Sequence, residues 1–369
     1  MQHRPGPTFI STSTTMAAGH PHQCGYFRPM NIILLGLSFF SGSQFTLFMS
    51  TILTERDVAQ KQKTIASSPS AHSSNISILN SALKIKSGNG WTAADFAETD
   101  PNPHNFDCHW TEFTSLSKQT AQVCVHSFPD IVSDSVKDSK HWADCDVLPK
   151  LWEDSLSRED DGSRKDAVYI EIGANIGTCV MEMLLSTDAP IIAFEPMPRN
   201  YYALRQTISR LDKQFQDRVV LFPIALGSEQ QISTIYAASN NFGNSVVGQP
   251  LKDSDVRRQK HREQDQFEIR VERIDAILNA VKISDIALVK MDSQGYECNI
   301  LKGFGKELAL KMKHVHFERA TRFLDAFGCN DLLPRFRNHG FTIYAGPRII
   351  EPNDESWLPG SIDLDAKRE

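Results

Sequence analysis

Three short apolar runs each end in acidic or glycine residues, and they follow one another at residues 168–177, 191–196 and 288–297. Each has the length and composition of a buried β-strand, and near-continuous apolar runs are typical of parallel sheets covered on both faces. In open α/β sheets, ligands bind beyond the carboxyl ends of the parallel strands. The three polar strand endings therefore predict the floor of a nucleotide-type site.

Further strands are predicted near residues 219, 314 and 341, and helical stretches alternate with them. This alternation is typical of an α/β, doubly wound, mostly parallel, Rossmann-like sheet. The core is expected at residues 165–350, which is ample for one domain of this type. Strong alternation in residues 233–238 and 267–274 also predicts a hairpin-like excursion over the ligand site.

The first strand leads into a small-residue turn that contains Gly173, Ala174, Asn175 and Gly177, and a helix is predicted from Thr178 to Leu185. Small residues let the backbone approach a ligand closely. A dinucleotide-binding turn requires Gly-x-Gly-x-x-Gly, but Asn175 occupies the middle glycine position. Because S-adenosylmethionine carries no phosphate, the turn favours that cofactor, and NAD stays as the alternative.

Glu195 ends the second strand, eighteen residues after Gly177. An acid at this distance can accept hydrogen bonds from both hydroxyls of a ribose, so Glu195 is expected to bind the adenosine of the cofactor. The alternative is a structural carboxylate that caps the helix beginning near Pro198. Ala225 follows the third strand and is expected to border the adenine.

Three blocks of the chain resemble the FkbM family of S-adenosylmethionine-dependent methyltransferases: Glu171–Gly177, Phe194–Pro198 with Asn200-Tyr201, and Lys290–Glu297 with Leu301-Lys302-Gly303. The resemblance covers roughly residues 120 to 346. It implies a class I methyltransferase fold and O-methyl transfer, most often to a hydroxyl of a sugar or natural product. Many members have Glu where this chain has Gln294, so no carboxylate role is carried over to that position.

Methyl transfer from a sulfonium requires an aligned acceptor oxygen and a group that removes its proton. Asp292 ends the strand at residues 286–291 and is the first candidate, with Lys290 on the same face. Glu318 ends the next strand and is expected to share the substrate. The structural alternative is an ion pair of Lys290 with a nearby carboxylate, because a lysine in an apolar strand needs a partner. The expected cofactor-binding residues are Glu171, Gly173, Ala174, Asn175, Gly177, Glu195 and Ala225.

The acceptor is expected to contact Asn244 and Ser245, in a loop rich in Asn, Ser and Gly, and Tyr296. Without the resemblance, that loop is better explained as an ordinary surface turn. His314 and His316 share one face of their strand, and His316 is a reserve candidate for the base. Two carboxylates alone do not make a metal site, so no metal is predicted.

The first 54 residues contain no Asp or Glu, and residues 30–53 form an uncharged, largely apolar run. At 1.5 Å per residue, this run can span a hydrocarbon layer of about 30 Å. The basic residues that precede it predict a single-pass type II membrane anchor, which places the enzyme in the lumen of the endoplasmic reticulum or Golgi. A cleaved secretory signal or an organelle transit peptide is the alternative. The expected order is a cytosolic tail at 1–29, the anchor, a flexible stem at 54–105, an N-terminal extension at 106–164, the core and a C-terminal tail at 351–369.

Six of the seven cysteines follow the predicted anchor and would face an oxidising lumen. Cys108, Cys124 and Cys145 cluster before the core, which favours one pair among them, whereas Cys179 and Cys298 are equally well explained as buried thiols. Asn75 lies in the one N-glycosylation sequon, within the expected stem.

The net charge of −6, with both signs interspersed, gives no electrostatic footprint for nucleic acid. The expected partner is therefore a small-molecule or glycan hydroxyl acceptor. Three hypotheses follow: an O-methyltransferase, an NAD-dependent oxidoreductase, and a non-catalytic protein that keeps the fold.

Overall fold

The computed structural model of the protein describes residues 92–98, 102–156, 167–238, 241–250, 261–281, 283 and 285–368, all within one compact unit at residues 67–369. The predicted tail at 1–29, the anchor at 30–53, Asn75 and most of the stem lie outside the described residues. Among the residues that are described, no helix is long and apolar enough to cross a membrane.

The central sheet has eight strands: β3 (Val168–Ile172), β4 (Ile191–Phe194), β5 (Val219–Phe222), β10 (Ile286–Met291), β11 (Met312–Ala320), β12 (Thr342–Ala345), β13 (Arg348–Ile349) and β14 (Ser361–Lys367). Their order is β13-β12-β14-β11-β10-β3-β4-β5. Strands β5, β4, β3, β10 and β11 are parallel, and the other three run antiparallel to their neighbours. The predicted mostly parallel Rossmann-like sheet is confirmed, and every residue of β3, β4 and β5 is buried.

The α-helices of the described chain are α1 (Ile131–Ser139), α2 (Leu148–Leu156), α3 (Thr178–Ser186), α4 (Pro198–Ser209), α5 (Lys213–Gln216), α6 (Ile274–Ala280), α7 (Glu297–Lys302), α8 (Gly305–Lys311), α9 (Thr321–Ala326) and α10 (Leu332–Asn338). Helix α3 confirms the helix predicted after Gly177. Helices α7 and α8 are separate because the chain turns at Gly305, whose φ is +64°.

A second sheet contains β6 (Ala225–Leu226), β7 (Gln231–Ala238), β8 (Val246–Val247) and β9 (His261–Glu272) in the order β6-β9-β7-β8. Strands β7 and β9 pair antiparallel, which confirms the predicted hairpin-like excursion. A 3₁₀ turn at Phe242–Asn244 follows β7. The Asn241 side chain begins this turn by accepting a hydrogen bond from the Gly243 N–H at 3.0 Å.

The N-terminal extension forms an antiparallel pair, β1 (His109–Thr114) and β2 (Thr120–Val125), followed by α1, a 3₁₀ turn at Ala143–Cys145 and α2. One disulfide joins Cys108 to Cys124, and a second joins Cys145 to Cys179 in α3. A third joins Cys298 to Cys329. Cys179 and Cys298 are therefore cystines rather than buried thiols, and the second disulfide links the extension to the core.

The C-terminal segment differs from the expected tail at 351–369. Its strand β14 is inserted between β11 and β12 and is antiparallel to both. Leu364 and Ala366 of β14 are fully buried, whereas Asp363 is exposed and Asp365 is half-buried. This alternation is that of a strand with one face in the core, so the sheet extends past residue 350.

Candidate active site

The turn after β3 has the backbone of a ligand-binding loop. Gly173 and Gly177 have φ of +82° and +89°, and Asn175 has +52°. A Cβ at Gly173 would lie 2.0 Å from the Asp292 carbonyl oxygen, so no other residue fits there. Asn tolerates the left-handed region better than most residues, and the Asn175 Oδ1 accepts a hydrogen bond from the Ile176 N–H at 2.8 Å. Asn175 therefore keeps the turn that the middle glycine was expected to provide.

Glu195 lies beside this loop at the end of β4, with only 4% of its surface exposed. Its carboxylate accepts hydrogen bonds from the Asn175 N–H at 2.6 Å and the Met197 N–H at 2.8 Å. Burial raises the pKa of Glu195 to about 7, although these hydrogen bonds lower it. A carboxylate has about four lone-pair positions, so these contacts do not use all of them and a ribose hydroxyl can still bind. The contact with Met197, at the N-cap of α4, also agrees with the capping alternative.

A narrow pocket opens between the ends of β3 and β4 and the second sheet. Its lining includes Gly173, Asn175, Glu195, Pro196, Ala225, Leu226, Phe242, Ser245, Asp292, Tyr296 and Ile300. One buried acid, a turn of small residues and an apolar wall are the chemistry that an adenosine requires. The residues present therefore fit S-adenosylmethionine.

Polar side chains form a row across the sheet next to this pocket. Glu171, Lys290, His316 and Asp365 are paired in register on β3, β10, β11 and β14. The Lys290 ammonium lies 3.2 Å from the Glu171 carboxylate and 3.8 Å from Asp292. Burial lowers the pKa of Lys290, but the two carboxylates outweigh burial and raise it above its usual value. Lys290 therefore has the partners that a buried lysine needs.

Gln294 joins the two candidate carboxylates. Its Nε2 donates hydrogen bonds to Asp292 Oδ1 at 2.6 Å and to Glu318 Oε2 at 3.0 Å. The Ser361 hydroxyl on β14 donates to the other Glu318 oxygen at 3.0 Å. Burial, followed by the charge of Asp292, raises the pKa of Glu318 to about 8. Gln294 thus connects Asp292 and Glu318 where the resemblance left its role open.

The two histidines of β11 share one carboxylate. Asp365 Oδ1 lies 2.6 Å from His314 Nε2 and 3.1 Å from His316 Nδ1. The other ring nitrogen of His314 lies 3.3 Å from the Ser155 hydroxyl. Burial lowers the pKa of His314, whereas the hydrogen bonds from both histidines hold the pKa of Asp365 well below its usual value. His314 is thus engaged at both nitrogens, and His316 faces the larger cavity described next.

A cavity of about 410 Å³ lies over this polar row, between the sheet and the N-terminal extension. It meets the cofactor pocket at Gly173, Asn175, Gly243, Asp292 and Gln294, which line both. Its wall also includes Val132, Trp142, Asp144, Glu171, Asn241, Asn244, Lys290, His316, Glu318, Ser361 and Asp363. A second ligand in this cavity would therefore be next to the cofactor.

The expected substrate contacts are divided between the two pockets. Asn244 lines the larger cavity, whereas Ser245 and Tyr296 line the cofactor pocket. The Ser245 hydroxyl donates to the Phe242 carbonyl at 2.6 Å within the turn. Glu297 accepts hydrogen bonds from the Ser293 N–H and hydroxyl at 3.0 and 2.9 Å. Tyr296 and Ser245 are thus nearer to the expected cofactor than to the acceptor cavity.

Two acids of the larger cavity, Asp144 and Asp363, were not among the sequence candidates. Asp144 and Trp142 come from the extension, and Asp363 comes from β14. Only the alternation of residues 361–367 could have suggested that the C-terminal segment reaches the site.

Residues 171–343 match the sequence model of the methyltransferase FkbM domain family. This part of the chain is an FkbM methyltransferase domain. The family resemblance seen in three short blocks is thus confirmed over residues 171–343, and the cofactor is S-adenosylmethionine. The matched domain therefore belongs to a family of S-adenosylmethionine-dependent methyltransferases.

Solved structures similar to this chain are also methyltransferases. A precorrin-6y C5,15-methyltransferase from Geobacter metallireducens is 13% identical over 60% of this chain and 88% of its own, with a TM-score of 0.31. A SAM-dependent O-methyltransferase from Thermotoga maritima is 8% identical over 70% and 92%, with a TM-score of 0.31. A glycopeptide N-methyltransferase complexed with S-adenosyl-L-methionine is 9% identical over 60% and 87%, with a TM-score of 0.28. No curated protein sequence matches the chain.

Proposed function

We propose that this protein transfers the methyl group of S-adenosylmethionine to a hydroxyl of a glycan, a sugar-containing molecule or another small molecule. The observation that carries this proposal is the polar cavity of about 410 Å³ that meets the cofactor pocket at Asp292. Its size is within the range of small-molecule sites. Its carboxylate and amide groups match the donors and acceptors of a polyol.

The roles of the candidate residues follow from their positions. The cofactor supplies an electrophilic methyl group, and the acceptor oxygen must approach it in line. Asp292, which lines both pockets, accepts the hydroxyl proton of the acceptor. Glu318 and Gln294 hold Asp292 and bind neighbouring hydroxyls, while the Lys290 ammonium keeps Asp292 and Glu171 in place. Gly173, Ala174, Asn175, Gly177 and Glu195 hold the cofactor.

We also propose that residues 30–53 anchor the protein and place this domain in the lumen of the secretory pathway. The three disulfides support a location in an oxidising compartment, because disulfides are rare in the reducing cytosol. Protease protection of the domain in sealed microsomes, with loss of protection after detergent, is the expected result. Digestion of the domain in intact microsomes would contradict this placement.

The activity is tested by incubating the protein with methyl-labelled S-adenosylmethionine and a set of hydroxyl acceptors, followed by mass spectrometry and NMR of the products. The expected product carries a methyl group on oxygen. Asp292→Asn should leave cofactor binding unchanged and lower transfer by about two orders of magnitude or more, the usual contribution of a general base. Asp331→Asn, which changes a surface carboxylate paired with Arg335, is the control and should retain activity. Equal loss in both variants would contradict the role of Asp292.

A further inference from the structure

The acceptor cavity carries an excess of negative groups. Its ionisable lining consists of Asp144, Glu171, Lys290, Asp292, His316, Glu318 and Asp363. Among the described residues, no arginine lines it, and the lysine is already paired with Glu171 at 3.2 Å. The histidine is held by Asp365 at 3.1 Å. The basic groups of the wall are therefore bound to carboxylates and are not available to an anionic ligand.

Two of the acids have no partner of their own. Within the described ranges, Asp144 and Asp363 form no hydrogen bond and no ion pair through their side chains. Asp363 is also paired in register with Glu318 across β11 and β14. A cation placed between these two carboxyl groups would favour their ionised forms, because an opposite charge nearby lowers the pKa of a carboxyl group. Burial, followed by the charge of Asp363, raises the pKa of Asp144.

The positive groups of the cofactor do not account for these acids. The cofactor pocket is lined by Glu195 and Asp292, but Asp144, Glu318 and Asp363 line only the larger cavity. They face the space that the acceptor occupies under the proposed function. A charge carried by the acceptor is therefore the relevant complement.

Gln294 gives an independent indication of a ligand with hydrogen-bond donors. It lines the cavity and is only 6% exposed, and its Nε2 donates hydrogen bonds to Asp292 and Glu318. Its Oε1 is buried and has no hydrogen-bond partner among the residues that the structure describes. A buried acceptor without a partner costs about 1–3 kcal/mol. A hydroxyl or ammonium of the ligand would satisfy it.

A divalent metal ion is the other cation that carboxylates attract. The described residues contain no group of three or more His, Cys, Asp or Glu side chains placed to hold a metal ion. Ca²⁺ and Mg²⁺ need about six or more oxygen ligands in a tight shell. A cavity of about 410 Å³ with acids spread around its wall instead suits a larger organic cation.

We propose that the acceptor carries an ammonium group near its hydroxyls, as an amino sugar or another amino alcohol does, and that uronates, sulfates and phosphates are rejected. This inference rests on the proposed function, since it assigns the cavity to the acceptor. Asp144 and Asp363 bind the ammonium, Gln294 Oε1 accepts one of its hydrogen bonds, and Asp292 stays with the reacting hydroxyl. The negative charges of the cavity wall attract a cationic acceptor towards the site, and the same charges repel anionic molecules.

The experiment is a calorimetric titration of the full chain, saturated with S-adenosylhomocysteine, with three matched disaccharides: cellobiose, its diamino counterpart and its uronic-acid counterpart. The pH is slightly acid, so that the amines are charged. The diamino compound should bind at least about tenfold more tightly than cellobiose, because several charge contacts add to its binding. The uronic acid should bind most weakly, and added salt should reduce the preference.

A double variant, Asp144→Asn with Asp363→Asn, should remove most of the preference for the diamino compound. Its binding of S-adenosylhomocysteine should stay unchanged, because neither residue lines the cofactor pocket, and this separates loss of charge from misfolding. Asp217→Asn, which changes a surface carboxylate paired with Lys213, is the matched control. Equal binding of the three disaccharides, tighter binding of the acid, or no binding of the diamino compound would overturn the inference. Failure to bind S-adenosylhomocysteine would instead count against the proposed function.

Discussion

Gln294 is the residue whose chemistry most clearly sets the charge of the site, and Gln294→Glu tests its role. The amide now donates two hydrogen bonds, to Asp292 at 2.6 Å and to Glu318 at 3.0 Å. A carboxylate at this position would lose both bonds and would be the third acid at the same point. Because the residue is buried, water cannot replace the lost donors.

The size of the effect follows from these contacts. A hydrogen bond to a charged group contributes about 1.5–3 kcal/mol and one to a neutral group about 1 kcal/mol. Glu318 is mostly neutral at neutral pH because its pKa is raised to about 8, so loss of the pair should cost about 3 kcal/mol. In the folded variant, the neighbouring like charges raise the pKa of the introduced glutamate carboxyl above about 4.3, the value for an unfolded chain. The protonated form is therefore favoured in the folded state, and stability is lost as the pH rises. Between about pH 4.3 and the folded-state pKa, the loss should grow by about 1.4 kcal/mol per pH unit.

Urea unfolding with the disulfides intact, followed by circular dichroism at about pH 5 and pH 8, measures this difference. Gln294→Met is the matched control, because it removes both hydrogen bonds without adding a charge, and its loss should depend little on pH. Gln294→Glu should be clearly less stable than the Met variant at pH 8 and similar to it at pH 5. An equal loss for Gln294→Glu at both pH values would refute the bridging role.

Three further predictions concern the cofactor loop and the core. Glu195→Ala should weaken S-adenosylmethionine binding by about 1–3 kcal/mol in calorimetry, because the ribose hydroxyls lose a buried partner, with little change in the unfolding free energy beyond the lost cap. Lys290→Met leaves Glu171 buried without its cation and should lower the free energy of unfolding, measured in urea, by about 3–5 kcal/mol. The lost stability should be recovered at acid pH, where Glu171 is protonated. If it is not recovered, the ion pair is contradicted. Cys145→Ser should lower the free energy of unfolding by about 2–5 kcal/mol, and the N-terminal extension should then unfold before the core. Faster hydrogen exchange in the extension would detect this. Uniform exchange throughout the domain would contradict the link to Cys179.

The parallel part of the sheet could be predicted because its strands are buried on both faces. Strands β3, β4 and β5 are continuous apolar runs, and such runs stand out in the sequence without any knowledge of their partners. Their polar ends identified the ligand site for the same reason, since parallel strands end on one edge. The positions of Gly173, Glu195 and Asp292 around one pocket follow from that rule.

Strand β14 could not be placed from the sequence. Its residues 361–367 alternate in polarity, but a single short alternating segment does not show which strand it joins, and its partner β11 lies far earlier in the chain. Asp365 and Asp363 reach the site only through this pairing. The contact of Asp365 with His314 and His316, and the acidic wall near Glu318, therefore required the three-dimensional structure.

The N-terminal extension shows the same limit. Spacing favoured a pair among Cys108, Cys124 and Cys145, but it could not show that Cys145 pairs with Cys179 in the core. Trp142 and Asp144 lie beside that disulfide in the chain and line the acceptor cavity. Loops and extensions of this kind vary independently of the fold, which is why acceptor residues are harder to predict than cofactor residues.

We propose that the turn at Gly173 and the acid at Glu195 form an S-adenosylmethionine site that opens into an acceptor cavity. The most direct test is calorimetric titration of the protein with S-adenosylmethionine, S-adenosylhomocysteine and NAD, each separately. We expect saturable binding of the first two, with one site each, and no binding of NAD. Binding of NAD alone, or of none of the three by the folded protein, would contradict it.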